Sequence, residues 1–213
     1  MPGSSSTAFA LQPLPMPKRR FLNVGGADKS HPVAPCFQDW EHILLDIDPK
    51  GRPDIVADAR DLSQRPAAEF DAIYCSHNLE HYYRHDALKV LRGFSHILND
   101  TGFAYIRVPD VMEVMRQAIE RNLDIDDVLY TSPAGPITVR DVLYGFGAYI
   151  EQSGQDFYAH KTGFTQKSLQ SLLMNCGFSY IFGGTGNFEI LCIAFKSKPT
   201  EEQQLLLGAP SVP

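Results

Sequence analysis

The sequence contains few cysteines, and they lack the spacings of a disulfide framework or a zinc knuckle. The chain has 213 residues and four cysteines, and no CxxC pair occurs. This pattern is typical of reduced thiols in a cytoplasmic protein. No apolar run approaches the ~20 residues of a membrane span, and no charged lead precedes an apolar stretch near residue 1. We therefore expect a cytoplasmic protein with no membrane partner.

Positive charge is also scarce. The chain carries 19 lysines and arginines against 25 acidic residues, for a formal net charge of −6. Nucleic-acid-binding proteins usually present a basic patch, and the one tight basic run here is residues 18–20, after a proline-rich lead. We expect no nucleic-acid partner. The sequence alone does not indicate an oligomeric state.

What the chain does contain is an alternation of short apolar runs and amphipathic helical segments. Nearly continuous apolar runs favour strands of a parallel sheet that is covered on both faces. Two further runs flank a glycine-rich turn at 183–187 and predict a hairpin whose last strand is antiparallel to its neighbour. Strands are predicted over 20–24, 43–47, 54–57, 70–75, 103–108, 178–182 and 189–195, and helices over 86–98, 111–121 and from the N-cap Thr165 to Gly177.

These elements predict one α/β domain: a Rossmann-like, doubly wound, mostly parallel seven-stranded sheet with a C-terminal antiparallel hairpin. The domain is predicted over residues 18–196. Serine and proline enrichment predicts a disordered tail over 1–17, and a loose tail is predicted over 197–213. Residues 110–163 are too many for a simple connection and are predicted to be an insertion, either a lid over the substrate side or a packed accessory subdomain.

Small and acidic residues follow the first four predicted strands. In a parallel sheet these strand ends meet at one edge, where ligands bind. Gly25 and Gly26 allow close approach of the backbone to a ligand. Asp46 can accept both ribose hydroxyls of a nucleoside, and Asp58 can accept the amine of adenine. Ser76 and His77 open a polar run after the fourth strand. Together they predict an adenosine site, and the absence of GxxxxGK[ST] disfavours nucleotide hydrolysis.

At these positions the sequence resembles the class I S-adenosylmethionine-dependent methyltransferases, especially small bacterial ones, over residues 21–195. Segments 22–27, 45–48, 56–62, 70–81, 97–102 and 162–178 are similar to the family's successive motifs. The resemblance implies the reversed final strand, S-adenosylmethionine as cofactor and methyl transfer as activity. The cofactor-binding residues that it implies are Asn23, Val24, Gly25, Gly26, Ala27, Asp46, Ile47, Asp58, Ala59, Ser76 and His77.

The sequence departs from the family between the first two strands. Pro32 and Pro35 leave no room for the long helix that usually follows the glycine loop. We expect a loop over 28–35 and any helix confined to about 36–42. Without that helix N-terminus, an anionic ligand group needs other donors. We therefore expect a cationic side chain nearby, with Lys29 and Arg20 as candidates.

Other functions share parts of this pattern. Residues 77–81 match HxxEH, the inverted zinc-protease signature, but His77 directly follows a strand, so the two histidines are not expected on one helix and no metal is expected. A nicotinamide-dependent oxidoreductase needs GxGxxG at the start of a long helix, which this chain lacks. A cofactor-binding or scaffold protein without transfer activity also remains open.

The acceptor is expected to be a small or sugar-like molecule that is methylated on oxygen. No Asn-Pro-Pro-aromatic motif for amino groups of nucleic acids follows the fourth strand. Methyl transfer to a hydroxyl requires proximity and a base. His81, His160 and Asp110 are the candidate bases, because they are expected beside the cofactor's methyl group.

Overall fold

The computed structural model describes residues 18–210, so the predicted tail over 1–17 lies outside the described residues. The strands are β1 (Arg20–Val24), β2 (Glu41–Asp46), β3 (Ile55–Val56), β4 (Phe70–Ser76), β5 (Leu98–Pro109), β6 (Val128–Ser132), β7 (Gly135–Thr138), β8 (Tyr180–Gly186) and β9 (Glu189–Phe195). The α-helices are α1 (Arg84–Ile97), α2 (Val111–Glu120), α3 (Val139–Tyr144), α4 (Gly147–Ser153), α5 (Gln166–Asn175) and α6 (Glu201–Leu207).

Seven strands form the central sheet in the order β3-β2-β1-β4-β5-β9-β8. The neighbouring pairs β3–β2, β2–β1, β1–β4 and β4–β5 are parallel. Strand β9 is antiparallel to both β5 and β8. This is the predicted doubly wound sheet with its C-terminal hairpin, and the fold class is confirmed. The strand order reverses at β1 and β4, which makes their carboxyl ends the expected place for a ligand.

Apolar burial on both faces explains why the apolar runs became central strands. On one face α1 packs its fully buried side chains Ala87, Val90, Leu91 and Phe94 against the sheet, together with Leu169 and Leu173 of α5. On the other face a second cluster consists mainly of aromatic side chains, including Phe21, Phe37, Phe103 and Phe195. A strand buried on both faces has no polar side to alternate with, as the sequence indicated.

The connection between β1 and β2 contains no α-helix, as predicted. Residues 25–34 form turns and irregular backbone, and a short 3-10 turn, Pro35–Phe37, follows. Phe37, from that turn, lies against the sheet with a ring-centroid distance of 4.5 Å to Phe21. An aromatic side chain thus covers part of the face that a longer crossover helix would cover.

The prediction of a loose tail over 197–213 is wrong in part, because the tail contains α6. Thr200 caps this helix: its hydroxyl accepts from the Gln203 N–H, and the Gln203 side chain accepts from the Thr200 N–H. This reciprocal capping box stabilises a short helix. Gln203 also donates to the backbone oxygen of Thr101 at 2.6 Å, which fastens α6 to the sheet.

Residues 110–163 contain α2, the β6–β7 hairpin, α3 and α4. They have an apolar cluster of their own, built from the buried Val114, Leu129, Val139 and Val142. The insertion therefore has the packing of an accessory subdomain. Within residues 18–210, none of the helices has the length and apolar character needed to cross a membrane.

Candidate functional site

A cavity of about 470 Å³ lies at the carboxyl ends of β1, β2 and β4. The switch in strand order opens this space, because the loops after β1 and β4 diverge there. The insertion closes one side with aromatic side chains. The lining residues are Gly25, Ala27, Asp28, Asp46, Ile47, Asp48, Lys50, Gly51, Asp58, Arg60, His77, Asn78, His81, Tyr82, Tyr83, Asp86, Tyr149, Phe157, Tyr158 and Lys161.

Some of the residues predicted to bind the cofactor border this cavity, and others support it from behind. The bordering ones are Gly25, Ala27, Asp46, Ile47, Asp58 and His77. The other five, which the cavity lining does not include, are Asn23, Val24, Gly26, Ala59 and Ser76. Asn23 and Val24 lie inside β1 and are buried, and Ala59 is buried in the turn after β3. Sequence motifs include such supporting positions because neighbours of a binding residue share its strand.

Asp46 stands at the end of β2 and joins two loops of the site. Its Oδ2 accepts from the Ala27 N–H at 3.0 Å, and its Oδ1 accepts from the Asp48 N–H at 2.9 Å. A carboxylate has about four lone-pair sites, so each oxygen can accept one more hydrogen bond. Asp46 can therefore accept two neighbouring hydroxyls while it holds the loop after β1.

Asp58 follows β3 and is held by Arg60. Arg60 donates from Nη2 to Asp58 Oδ2 at 2.6 Å and from Nε to Oδ1 at 3.0 Å. Burial opposes ionisation of Asp58, but these hydrogen bonds and the charge of Arg60 outweigh it and lower the pKa of the carboxyl. Asp58 is thus an ionised carboxylate with most of its acceptor capacity already used, so less of it is left for an adenine amine than the sequence indicated.

Gly25 and Asn78 form a tight contact between the loops after β1 and β4. Gly25 has φ +72°, and a Cβ at this position would lie 2.0 Å from Asn78 Nδ2. Asn78 also lines the cavity, and its buried Oδ1 accepts no hydrogen bond from residues 18–210. A buried amide oxygen without a donor is costly. A ligand with an N–H or ammonium group would satisfy it.

Substitution Gly25→Ala tests this contact. We expect at least about a tenfold loss of affinity for the site's ligand, because Asn78 must move and the positive φ becomes strained by about 1–2 kcal/mol. The measurement is calorimetric titration with S-adenosylhomocysteine. Gly184→Ala is the matched control, since a Cβ there meets no atom within 4 Å and the position is outside the cavity. Equal affinities of the two variants would show that the contact does not shape the site.

His77 lies in a loop after β4, as predicted, with φ +51°. Its Nε2 is 2.6 Å from Glu189 Oε1. Burial lowers the pKa of His77, but Glu189 and Glu80 outweigh burial and raise it to about 9. The helical segment that follows is only the 3-10 turn Leu79–His81. His77 and His81 therefore do not share a helix, and the HxxEH protease arrangement is absent from this part of the described chain.

Two of the three candidate bases lie together. The ring centroids of His81 and His160 are 4.9 Å apart, and His81 borders the cavity. His160 comes from the end of the insertion, which is anchored by N–H donation from Lys161 to the backbone oxygen of Glu80 at 2.8 Å. Burial lowers the pKa of His160, which favours its neutral form.

Asp110, the third candidate base, has a different role. Its Oδ1 accepts from the N–H groups of Met112 and Glu113, so it caps α2. It is only 6% exposed and is not part of the cavity wall. An aspartate between a strand and a helix is a strong N-cap, and this local role explains its position. The role of Asp110 as a base stays a prediction, and its capping of α2 outside the cavity wall does not favour it.

Cations do border the cavity, although the two that the sequence favoured do not. Lys29 is held by Asp54 at 2.6 Å, and Arg20 by Glu41 at 3.2 Å. The lysine and arginine side chains that border it are instead Lys50, Arg60 and Lys161. Lys161 enters from the insertion, and its Nζ lies 5.8 Å from the centroid of the Tyr83 ring.

Phe157 and Tyr158 form an aromatic wall of the cavity that was not predicted from the sequence. The Tyr158 hydroxyl donates to Asp48 Oδ2 at 3.2 Å, which links the insertion to the loop after β2. Tyr149, which the sequence had placed in the insertion, packs against Tyr158. The insertion thus has both a packed core and an edge that covers the cavity. No local pattern distinguishes Phe157 and Tyr158 from ordinary surface aromatics.

Comparison with known proteins matches the fold only at low sequence identity. No protein-family model and no curated protein sequence matches the chain. A S-adenosylmethionine-dependent methyltransferase from Archaeoglobus fulgidus is 15% identical, with a TM-score of 0.52 over 83% of this chain and 86% of that one. The PH0226 protein from Pyrococcus horikoshii OT3 is 15% identical, with a TM-score of 0.51 over 85% and 84%.

A third similar structure is a domain of a larger protein. The CMeT domain of the citrinin polyketide synthase is 14% identical, with a TM-score of 0.54 over 88% of this chain and 48% of that one. All three matches cover more than four fifths of this chain, so the likeness extends over the whole sheet and not only over one βαβ unit. The chain therefore has the Rossmann-like fold of the class I S-adenosylmethionine-dependent methyltransferases.

Proposed function

We propose that the protein transfers a methyl group from S-adenosylmethionine to a hydroxyl of a small or sugar-like molecule. The observation that carries the proposal is the cavity at the switch point, where Asp46 and Asn78 offer acceptors suited to an adenosyl ligand with an amino-acid tail. Its volume of about 470 Å³ falls within the roughly 300–1,000 Å³ of small-molecule sites. The four cysteines of the protein are unpaired, which fits the reducing cytoplasm as its compartment.

The residues of the cavity fit the parts of this cofactor. Asp46 has free acceptor capacity for the two ribose hydroxyls, and Ile47, which is 46% exposed, offers an apolar surface to the adenine ring. Asn78 Oδ1 has no donor of its own and suits the ammonium of the methionine part. Lys161 supplies a positive charge for the carboxylate. The loop that replaces the first helix is compatible with this assignment because these side chains take over the role of the helix N-terminus.

The acceptor is proposed to lie between the cofactor and the edge of the insertion. When bound, S-adenosylmethionine supplies a methyl group on a sulfonium: the acceptor oxygen bonds to the methyl carbon as the carbon–sulfur bond breaks, and the products are S-adenosylhomocysteine, the methyl ether and a proton. Tyr149 and Phe157 give the acceptor apolar walls and exclude water. His81 borders this space and His160 packs against His81, so the imidazoles are placed to receive the proton.

Calorimetric titration with S-adenosylhomocysteine and with NADH tests the cofactor. We expect S-adenosylhomocysteine to bind at least about tenfold more tightly, a difference of about 1.4 kcal/mol. A dinucleotide needs a pyrophosphate cradle at a helix N-terminus, and residues 28–34 form a loop instead. Tighter binding of NADH would refute the proposal. An acceptor screen with labelled cofactor then tests transfer.

A further inference from the structure

The geometry points to a metal site beside the cavity, formed by Glu80, His81 and His160. We propose that these three side chains bind one divalent transition-metal ion. Each offers one ligand atom, and the three atoms lie within 4.8 Å of one another. The set differs from the HxxEH pattern, since it uses His160 from the insertion instead of His77.

Glu80 is the first reason for the proposal. Its side chain is 2% exposed, and neither carboxylate oxygen accepts a hydrogen bond from residues 18–210. A buried charge is costly unless it is paired or coordinates a metal. The nearest basic atoms are His77 Nδ1 at 3.5 Å and His160 Nε2 at 4.0 Å from Oε1. A bound cation would satisfy both oxygens.

The orientation of the two histidines is the second reason. The Nδ1–H of His81 donates to the backbone oxygen of Ala159 at 3.2 Å, and that of His160 donates to the backbone oxygen of Val142 at 2.9 Å. Donation from Nδ1 leaves Nε2 with a free lone pair in each ring. Metal-bound histidines nearly always donate their other ring N–H in this way, to a carbonyl or carboxylate.

The ligand types indicate the class of ion. Two imidazole nitrogens and one carboxylate suit zinc, cobalt, manganese or iron(II), whereas magnesium and calcium prefer oxygen ligands. Ligand atoms about 2.1 Å from a tetrahedral ion lie about 3.4 Å apart, so distances in the cluster have to shorten by up to about 1.4 Å. Backbone hydrogen bonds from Lys161 and Thr162 already hold this segment against Glu80, so the contraction would come from the three side chains.

A role in the reaction follows if the proposed function holds, and this part of the inference rests on it. His81 borders the cavity, so an ion that it binds lies at the wall where the acceptor is proposed. Three protein ligands leave at least one open position, as in catalytic zinc sites. An ion held there would act as a Lewis acid and would lower the pKa of an acceptor hydroxyl. With their Nε2 atoms bound to the ion, His81 and His160 would hold it in place, and the proton would pass to water instead of to an imidazole.

The competing interpretation is that Glu80 serves only as a counter-ion of His77. To distinguish the two, metal is removed from the full chain with a chelator, and the protein is titrated with Co²⁺ while its visible absorption is recorded. In a separate sample, the protein is dialysed against zinc and then against metal-free buffer, and bound zinc is counted by elemental analysis. We expect one ion per chain and a saturable cobalt spectrum. Glu80→Gln and His160→Ala are expected to raise the Kd for cobalt at least about tenfold.

The control is His85→Ala, which removes an exposed histidine near the same turn but outside the cluster and is expected to keep wild-type cobalt binding. Thermal melting checks that each variant is folded; Glu80→Gln keeps the shape of the side chain. Absence of saturable binding, or equal binding by wild type and both variants, would overturn the metal site. Titration of the metal-free chain with S-adenosylhomocysteine tests the proposed cofactor site separately from the metal site. That ligand is proposed to require Asp46 and Asn78 but no metal, so it should still bind if only the metal proposal fails.

Discussion

Replacement of Asp46 by alanine is expected to weaken binding of S-adenosylhomocysteine by about 100-fold or more. A charge-assisted hydrogen bond contributes about 1.5–3 kcal/mol, and the proposed site makes two of them to the ribose. The loss is increased because Asp46 also accepts from the Ala27 N–H, so the loop after β1 loses one of its ties to β2 and keeps the bond from the Gly25 N–H to the Leu45 oxygen. Calorimetric titration of the variant measures the change directly.

Two further variants separate these contributions. Asp46→Asn retains one acceptor oxygen and the shape of the side chain, so its Kd is expected between those of wild type and Asp46→Ala. Asp61→Ala removes an exposed acidic residue of the neighbouring turn Ala59–Gln64. Asp61 itself does not border the cavity, so this variant is expected to bind normally. A Kd for Asp46→Ala within about twofold of wild type would mean that Asp46 does not bind the ligand and only holds the loop after β1.

The sheet could be predicted because local and global signals agree there. The strand β1 was predicted with its observed bounds, Arg20–Val24, since a buried central strand requires a continuous apolar run. Proline likewise fixed the loop after Gly25, because Pro32 and Pro35 cannot lie inside a helix. Asp46 was found for a similar reason: an acid directly after a buried strand has to lie at the sheet edge.

The composition of the cluster at Glu80 could not be predicted, because it depends on a long-range contact. His160 lies 80 residues after Glu80, near the end of the insertion. Its approach is fixed by backbone hydrogen bonds from Lys161 and Thr162 to Glu80. No local pattern indicates such pairing. Asp110 shows a different difficulty, because its local pattern has two interpretations. A residue that ends a strand and precedes a helix can face a ligand site or cap the helix, and only the structure distinguishes the two.

The second large effect concerns stability: Phe37→Ala is expected to reduce the free energy of unfolding by about 3–5 kcal/mol. Phe37 is 1% exposed and stands in for the missing crossover helix. Its ring stacks on Phe21 and contacts the rings of Tyr74 and Phe103 at centroid distances of 5.6 and 5.8 Å. Its removal leaves a cavity against the sheet and removes aromatic contacts that add about 0.5–1.5 kcal/mol per pair.

Chemical denaturation measures this loss, and thermal melting should show a decrease of roughly 10 °C in Tm. Phe37→Leu keeps most of the volume and is expected to lose less, and Leu205→Ala, at a side chain that is 86% exposed, is expected to change stability by no more than about 0.5 kcal/mol. The same loop carries Ala27 and Asp28 to the cavity, so folded Phe37→Ala should also bind S-adenosylhomocysteine more weakly. A loss of less than about 1 kcal/mol would mean that the neighbouring rings repack to fill the space, and that this face of the sheet does not depend on the Phe37 side chain.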